Sequence, residues 1–384
     1  MCLSSSDDNR FKELLQRKSD ELDFDVMRVV SVEAASRGEM GERLEDWLEQ
    51  ERQGSMHYMA DRSSLRSAPQ KLWMDASSII MFGMGYKPFF SPLKALKESN
   101  KGLIASYAQR RDYHDIVKGK LKEFAGFLVS KTDAEVKIFV DTGPLMEKPL
   151  AQMAGIGWQG KHTILVSRSI GPWIVLGSIL TTFKIAPDEP EEDHCGTCRK
   201  CLDICPTKAF PAPYEFDARR CIAYYTTENK ELAPRALRPY FGNRIFGCDD
   251  CVAVCPWNKY ATTCREARFR VSEKLVLPPL EELLKLNDAG FRSFFSATPV
   301  KRIGRDRFIR NVLVAAGNAR NKSFIPSIIA LLVDSSPLVR AMAVWALIET
   351  DLEIASEIAK QYITKEYDPL VLKEWNVLEH FAQK

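Results

Sequence analysis

Apolar runs alternate with amphipathic segments through the first half of the chain. Buried strands are predicted where apolar residues run together, at residues 77–84, 136–140, 163–167 and 173–180. Apolar positions at helical spacing predict helices over residues 7–20 and 113–128. Strands that alternate with helices are typical of a layered α/β fold, which we predict for this half of the chain.

The composition changes twice further along the chain. An acidic, proline-containing stretch at residues 186–193 indicates a linker, and a cysteine-rich segment follows it. Beyond that segment, residues 308–316 and 338–346 share their apolar pattern at an offset of 30, which predicts two short helical repeats resembling HEAT repeats. We therefore predict three domains: an α/β domain at 1–185, a ferredoxin-like domain at 186–270 and an all-α, HEAT-like domain at 271–384.

The hydrophobic content of the chain and its N-terminal residues bear on the cellular location of the protein. The chain has 384 residues, 45% of them hydrophobic and 27% charged, which is ordinary for a globular protein with a sizeable core. The most apolar stretch, residues 170–180, is much shorter than the roughly 20 residues that a membrane span needs. The N-terminus is charged and has no apolar leader region, so we expect a cytoplasmic protein with no membrane partner.

Positive charge is concentrated in one window, although the net charge of the chain is only +3. Between residues 301 and 322 there are seven basic residues and a single acid, Asp306, so this basic window carries +6. Such a patch on a near-neutral protein is typical of a polyanion site, and a solvated helix face explains it equally well. The basic residues are Lys301, Arg302, Arg305, Arg307, Arg310, Arg320 and Lys322.

Eight of the ten cysteines lie between residues 195 and 255. The first run has the spacing C-x2-C-x2-C-x3-C-P of bacterial ferredoxins with two clusters, in which the fourth cysteine binds the other cluster. The second run, residues 248–256, keeps C-x2-C-x3-C-P and is one ligand short, which Cys221 can supply. Clustered cysteines in a cytosolic chain indicate metal binding rather than disulfides.

By elimination these cysteines divide into two sets of four. Two structural zinc sites, or buried cysteines that bind nothing, are the alternatives; zinc ribbons, however, use paired C-x2-C motifs. We favour two [4Fe-4S] clusters, which would relay single electrons to chemistry elsewhere in the chain. The first quartet is Cys195, Cys198, Cys201 and Cys255, and the second quartet is Cys205, Cys221, Cys248 and Cys251.

The first half of the chain should hold the acceptor of these electrons. No G-x-G-x-x-G motif follows a predicted strand, so a Rossmann nucleotide site is unsupported. Asp141 follows the strand at 136–140, where a partly desolvated carboxyl group can keep a proton and act as a general acid. An Asp shortly before Pro144 is also typical of a helix N-cap, and the pattern alone favours the cap. We interpret His114 as a helix-surface histidine.

Five segments together resemble the motifs of the epoxyqueuosine reductase family. The resemblance covers nearly the whole chain, including the helical tail, and the set of motifs is highly specific. The segments, in chain order, are RDYH at 111–114, DTGP at 141–144, GIGWQGK at 155–161, CIAY at 221–224 and GNRIFGCDDC at 242–251.

The resemblance implies a cobalamin-dependent enzyme with two [4Fe-4S] clusters. Enzymes of this family reduce the epoxide of epoxyqueuosine at the tRNA wobble position to queuosine, which is the last step of queuosine biosynthesis. Asp141 corresponds to the proton donor of the family, and the basic window would bind tRNA. The cobalamin pocket would be formed by Asp141 together with Arg62, Tyr107, Thr163, Leu165, Ser167, Trp173, Thr227 and Glu228.

Further expectations concern partners and competing functions. An external low-potential donor of the ferredoxin or flavodoxin type would supply the electrons, and we expect a monomer. The alternative function is that of a reductive dehalogenase-like cobalamin enzyme acting on a small molecule. Such enzymes typically carry a twin-arginine export signal, which this sequence does not show. A simple electron carrier would not need the preceding α/β domain.

Overall fold

An antiparallel sheet forms the centre of the N-terminal part of the protein. The computed structural model describes residues 5–37 and 39–378. Its strands are β1 (Val26–Ser31), β2 (Ser78–Gly85), β3 (Leu103–Ile104), β4 (Val136–Phe139), β5 (Trp158–Gln159), β6 (Leu165–Val166), β7 (Ile174–Thr181) and β8 (Arg244–Phe246). Four of them form the main sheet in the order β1-β2-β7-β4, with all neighbours antiparallel. The predicted strand at 163–167 instead forms a small hairpin, in which β5 pairs with β6.

Helices cover both faces of this sheet. Leu121 of the long helix α8 packs on one face, where Gly177 of β7 leaves room for it, and Leu150 of α9 belongs to the core on the other face. The layered arrangement is thus confirmed, with strand directions that alternate instead of running parallel. The helices are α1 (Ser5–Glu21), α2 (Val32–Arg37), α3 (Met40–Glu49), α4 (Tyr58–Asp61), α5 (Ser63–Arg66), α6 (Pro69–Leu72), α7 (Pro92–Ala95), α8 (Tyr113–Lys131) and α9 (Glu147–Met153).

The cysteine-rich segment contains little regular structure. It includes α10 (Lys200–Ile204), α11 (Asp250–Ala253) and one turn of π-helix at Tyr224–Glu228. The predicted linker before it is held in place, because Asp188 exchanges hydrogen bonds with Val29 of the edge strand β1. Gly155 has φ +84°, and a Cβ atom there would lie 2.2 Å from the carbonyl oxygen of Glu189. The linker is therefore packed against the N-terminal part.

The C-terminal part is helical. Helices α14 and α16 contain the two predicted repeats and pack closely, since a Cβ at Gly317 would lie 2.7 Å from the Trp345 ring. Their core also includes Ile104, Tyr225 and Ile245 from earlier segments. None of the helices in the described ranges is long and apolar enough to cross a membrane. The helices are α12 (Leu280–Leu284), α13 (Asp288–Phe294), α14 (Arg305–Ala319), α15 (Ile325–Ala330), α16 (Pro337–Thr350), α17 (Leu352–Tyr362) and α18 (Pro369–Trp375).

Candidate active site

Asp141 follows β4 and points its carboxylate at the beginning of α8. The Tyr113 hydroxyl donates a hydrogen bond to Asp141 Oδ2 at 2.8 Å, and His114 Nε2 lies 3.3 Å from the same oxygen. The backbone of Asp141 is left-handed, with φ +57°, and its N–H donates to the Glu147 carboxylate at 2.9 Å. Helix α9 begins at Glu147 with Met146 as its N-cap, so Asp141 is not a helix cap.

His114 lies between two carboxylates. Its Nδ1 is 2.7 Å from Asp112 Oδ1, and the Asp112 carboxylate also caps α8 by accepting from the His114 backbone N–H. Arg302 binds the other oxygen of Asp112 at 2.7 Å. Only 14% of the His114 side chain is exposed, so our interpretation of it as a helix-surface histidine is wrong. Arg302, Asp112, His114 and Asp141 form one continuous chain of charged groups.

The position of the proton in this chain follows from its hydrogen bonds. Burial by itself lowers the pKa of His114, but the bonds to Asp112 and Asp141 outweigh it and raise the pKa to about 9. Burial raises the pKa of Asp141, yet the bonds from His114 and Tyr113 leave it below its ordinary value. At neutral pH the proton therefore lies on His114 and Asp141 is ionised, which corrects the expectation that desolvation keeps Asp141 protonated.

Further titratable groups lie within electrostatic range of Asp141, and we call the space around them the recess. Burial, followed by the charge of Asp141, raises the pKa of Glu147 to about 8. The side chains of Asp141 and Lys148 are exposed, yet burial lowers the pKa of Lys148. The charges that act on Lys148 include Asp141 and two cysteines of the second quartet, Cys251 and Cys221. Lys148 is thus within electrostatic range of both Asp141 and that quartet.

Several residues predicted for the cofactor pocket lie around this recess. Burial and then the charge of Asp141 raise the pKa values of Tyr107 and Glu228. Arg62 stands near Arg66, on which Asp141 also acts. Sequence reasoning missed four residues here: Tyr58, Arg66, Tyr113 and Lys148. Two of them had a signal: Tyr113 lies within the segment 111–114 that carries the family resemblance, and Lys148 lies in the segment 140–148 around Asp141.

The other residues predicted for the cofactor pocket are buried or half-buried. Leu165, Ser167 and Trp173 are at most 3% exposed, and Trp173 donates to the Asn258 side chain. Neighbouring segments enclose these three side chains, and their assignment to the cofactor pocket stays a prediction. Thr227 lies in the π-helical turn, where its hydroxyl donates to a backbone carbonyl of the same turn. Thr163 is half-buried, with φ +62°, in the turn of the β5–β6 hairpin.

Some cationic side chains of the basic window are exposed, and others are buried and bonded to neighbouring groups of the protein. Arg310 is 3% exposed, and its guanidinium donates to the carbonyl oxygens of Tyr225, Asn229 and Glu231. It has no surface to offer to a phosphate, so its assignment as an RNA contact is wrong. Arg305 forms an ion pair with Asp334 at 2.6 Å in which both side chains are largely buried. The more exposed members of the window are Lys301, Arg302, Arg307, Arg320 and Lys322.

Cysteines of each predicted quartet lie within electrostatic range of one another. The pKa of the Cys255 thiol is raised to about 11, mainly by burial and in part by Cys195, Cys201 and Cys198 of the first run. Burial likewise raises the pKa of Cys251, with Cys221 and Cys205 as the next contributors. Cys255 therefore approaches the first run, and Cys251 approaches Cys205 and Cys221, as the predicted exchange of ligands requires.

The surroundings of these sites fit the cofactors that the resemblance implies. N–H groups point at cysteine sulfurs: Trp158 Nε1 lies 3.4 Å from Cys195 Sγ, and the Ala209 backbone nitrogen lies 3.3 Å from Cys205 Sγ. Such N–H donors suit the thiolate ligands of iron–sulfur clusters. In the recess, buried Arg66 Nε and Glu147 Oε1 have no hydrogen-bond partner among the described residues, which suits a large polar cofactor.

Comparisons with known proteins agree with this geometry. A model described as "4Fe-4S double cluster binding domain" matches residues 194–258, and one described as "Epoxyqueuosine reductase QueG, DUF1730" matches residues 66–142. The epoxyqueuosine reductase of Xanthomonas campestris pv. campestris is 39% identical over 82% of this chain and 90% of the relative. That of Pseudomonas aeruginosa is 38% identical over 90% of this chain and 96% of the relative.

Solved structures of epoxyqueuosine reductases have a fold similar to that of this chain. A crystal structure of epoxyqueuosine reductase with a tRNA-Tyr epoxyqueuosine-modified stem loop is similar at a TM-score of 0.86 and 27% identity, over 97% of this chain and all of that one. The Bacillus subtilis enzyme, with its catalytic loop swung out of the active site, gives the same TM-score and identity over 97% of this chain and 99% of that one. This chain belongs to the epoxyqueuosine reductase family.

Proposed function

We propose that this protein reduces the epoxide of epoxyqueuosine in tRNA to give queuosine. The observation that carries the proposal is the charged chain ending at Asp141, which places a proton source near Lys148 and, through it, within electrostatic range of the second cysteine quartet. Removal of the epoxide oxygen as water consumes two electrons and two protons. Family membership and the relatives' names favour this reaction over reductive dehalogenation of a small molecule.

The two quartets would hold the clusters, and the recess would hold cobalamin. When bound, cobalamin supplies the two-electron reduction, and the clusters supply electrons one at a time. Among the predicted pocket residues, Arg62, Tyr107, Asp141 and Glu228 support this location, because all lie around the recess. Burial and nearby charges raise the pKa values of the thiols, so ligation must displace their protons.

The chain's own residues supply the proton. His114 holds it on Nε2, 3.3 Å from Asp141 Oδ2, and can pass it through this carboxylate to the departing oxygen. Tyr113 donates to the same carboxylate and orients it. Asp112 and Arg302 fix the imidazole from the other side. Asp141 is thus the catalytic residue that meets the substrate, and His114 is its proton source.

The helical part and the basic window form the proposed tRNA surface. Arg307 acts electrostatically on Glu228 at the recess, and Lys301 is exposed nearby in the chain. Phosphate contacts at such residues would position the anticodon, while the recess receives the flipped-out base. The proposal also includes the HEAT-like repeat and three domains with boundaries at 185 and 270. It further includes a monomeric state, a cytoplasmic location and an electron donor of the ferredoxin or flavodoxin type.

The proposed reaction can be tested directly under anaerobic conditions. Cluster-loaded protein is incubated with cobalamin, a low-potential reductant and tRNA that contains epoxyqueuosine, and the digested nucleosides are weighed by mass spectrometry. We expect the modified nucleoside to lose one oxygen atom only when cobalamin is added. An unchanged nucleoside, with both cofactors shown to be bound, would contradict the proposal and direct attention to halogenated small molecules.

The ligand assignment predicts the iron content of cysteine variants. Cys251→Ser should lose one cluster, so that iron falls from about eight atoms per chain towards about four and turnover stops. Cys264→Ser is the matched control, because Cys264 lies outside both quartets and is also half-buried. Iron analysis and the visible absorption of the purified proteins measure the result. A full complement of iron in Cys251→Ser would remove Cys251 from the second quartet.

The role of the basic window predicts a change in salt dependence. Lys301→Gln should weaken the binding of tRNA and reduce the slope of log K against log salt by about one, because one phosphate contact is lost. Lys122→Gln on the outer side of α8 removes an equal, exposed charge and serves as the control. Titrations at several salt concentrations give the slopes. Equal slopes for the two variants would show that Lys301 does not contact a tRNA phosphate.

A further inference from the structure

The turn between β5 and β6 lies directly against the ligand loop of the first quartet. Trp158 Nε1 donates a hydrogen bond to Cys195 Sγ at 3.4 Å, and the backbone N–H of Lys161 donates to the same sulfur. The ammonium group of Lys161 donates to the carbonyl oxygens of Gly196 at 2.6 Å and Cys198 at 3.0 Å. One short turn thus directs an indole N–H, an amide N–H and a cation at a single ligand loop.

Packing holds these donors in position. Trp158 is completely buried, and its ring meets Trp257 edge-on with the ring centres 4.8 Å apart and His194 with the centres 5.0 Å apart. The close approach of the hairpin depends on Gly157, because a Cβ atom there would lie 2.0 Å from the Val166 carbonyl oxygen. The turn therefore has little freedom to move away from the loop.

The second quartet has different electrostatic surroundings. The Ala209 backbone N–H donates to Cys205 Sγ at 3.3 Å, and Cys248 Sγ lies 3.4 Å from a carboxylate oxygen of Asp250. That carboxylate is paired with Arg244, which neutralises it. A carboxylate lies beside a ligand in both quartets, because Asp193 accepts a hydrogen bond from the Cys195 backbone N–H at 2.6 Å. The lysine that donates to the carbonyl groups of a ligand loop belongs to the first quartet.

Reduction of a [4Fe-4S] cluster from the 2+ to the 1+ state adds one electron and makes the cluster and its thiolates more negative. Hydrogen bonds to the sulfurs and a fixed positive charge both favour the reduced state. We propose that Trp158 and Lys161 are positioning residues that raise the reduction potential of the first cluster. This inference rests on the proposed ligand quartets.

A redox titration monitored by electron paramagnetic resonance tests the proposal on the cluster-loaded full chain. In Lys161→Met and in Trp158→Phe, the midpoint potential of the first cluster should become more negative. We expect about a tenfold change in the reduction equilibrium, which for one electron is about 59 mV. The second cluster should keep its potential, and a Cys198→Ser sample identifies which signal belongs to the first. Lys161→Arg should keep the midpoint potential of the first cluster close to that of the unmodified protein, because arginine is also a cationic hydrogen-bond donor.

Lys200→Met is the matched control, since Lys200 is an exposed lysine next to Cys201 with no hydrogen bond to the ligand loop in the described structure. It should shift the potential much less than Lys161→Met. Unchanged potentials in Lys161→Met with a full iron content would overturn the proposal, and so would equal shifts in the two lysine variants. Because the titration needs no tRNA, a failure of epoxide reduction would leave its result intact. If Trp158→Phe folds poorly, the midpoint potential of Lys161→Met alone decides whether the proposal holds.

Discussion

Asp141→Asn is expected to lower the rate of epoxide reduction by about 100- to 10,000-fold, the range that a positioned general acid typically contributes. The amide keeps the size of the side chain and can still contact Tyr113 and His114. It cannot, however, take the proton from His114 and deliver it to the departing oxygen. Single-turnover reduction of the modified tRNA, measured with saturating reductant, reports the loss.

This variant separates the chemical role of Asp141 from a structural one. Iron, sulfide and bound cobalamin should all stay at the level of the unmodified protein. Asp133→Asn is the control, because Asp133 is an exposed aspartate just before β4. A loss of either cofactor in Asp141→Asn would argue that the carboxylate holds the site together, and an unchanged rate would show that another group protonates the oxygen.

The sequence could predict the cysteine quartets, which stay a prediction, because the spacing of the ligands is a local property. Cluster ligands at fixed intervals before a Cys-Pro pair can be recognised without knowing the fold. The exchange of Cys255 and Cys205 between the two sites follows from the same spacing, and the structure brings Cys255 next to Cys195. The same holds for α8 and the central strands, which have long and regular apolar patterns.

Long-range electrostatics could not be predicted in this way. The protonation of His114 depends on Asp112, two residues away, and on Asp141, which follows a different strand. The charge of Arg310 gave no sign that its guanidinium would be enclosed by carbonyl groups from residues 225–231. Counting charges along a chain therefore identified a basic window but did not show which of its cations face the solvent.

The charged chain predicts a specific pH dependence. In the unmodified protein, the rate of epoxide reduction should fall as the pH rises through about 9, because His114 then loses the proton that Asp141 delivers. The raised pKa of His114 also stabilises the fold. This contribution is complete below the ordinary histidine pKa of about 6.5 and is lost as the pH rises through about 9.

Asp112→Asn should move the falling limb of this profile to lower pH. The substitution removes one of the two carboxylates that hold the imidazolium, so the pKa of His114 returns towards its ordinary value. Asparagine caps a helix about as well as aspartate does, so α8 keeps its first turn. Rates measured from pH 6 to pH 10, together with the midpoint of thermal unfolding over the same range, give both profiles.

His114→Gln completes the test, because glutamine can hydrogen-bond to both carboxylates but carries no transferable proton. We expect its rate to fall by about 100-fold or more at neutral pH, and the limb near pH 9 to disappear. If Asp112→Asn kept the limb at its original pH, the titrating group would be Glu147, whose pKa is raised to about 8, rather than His114. The shift of the limb therefore identifies which group holds the proton that Asp141 passes on.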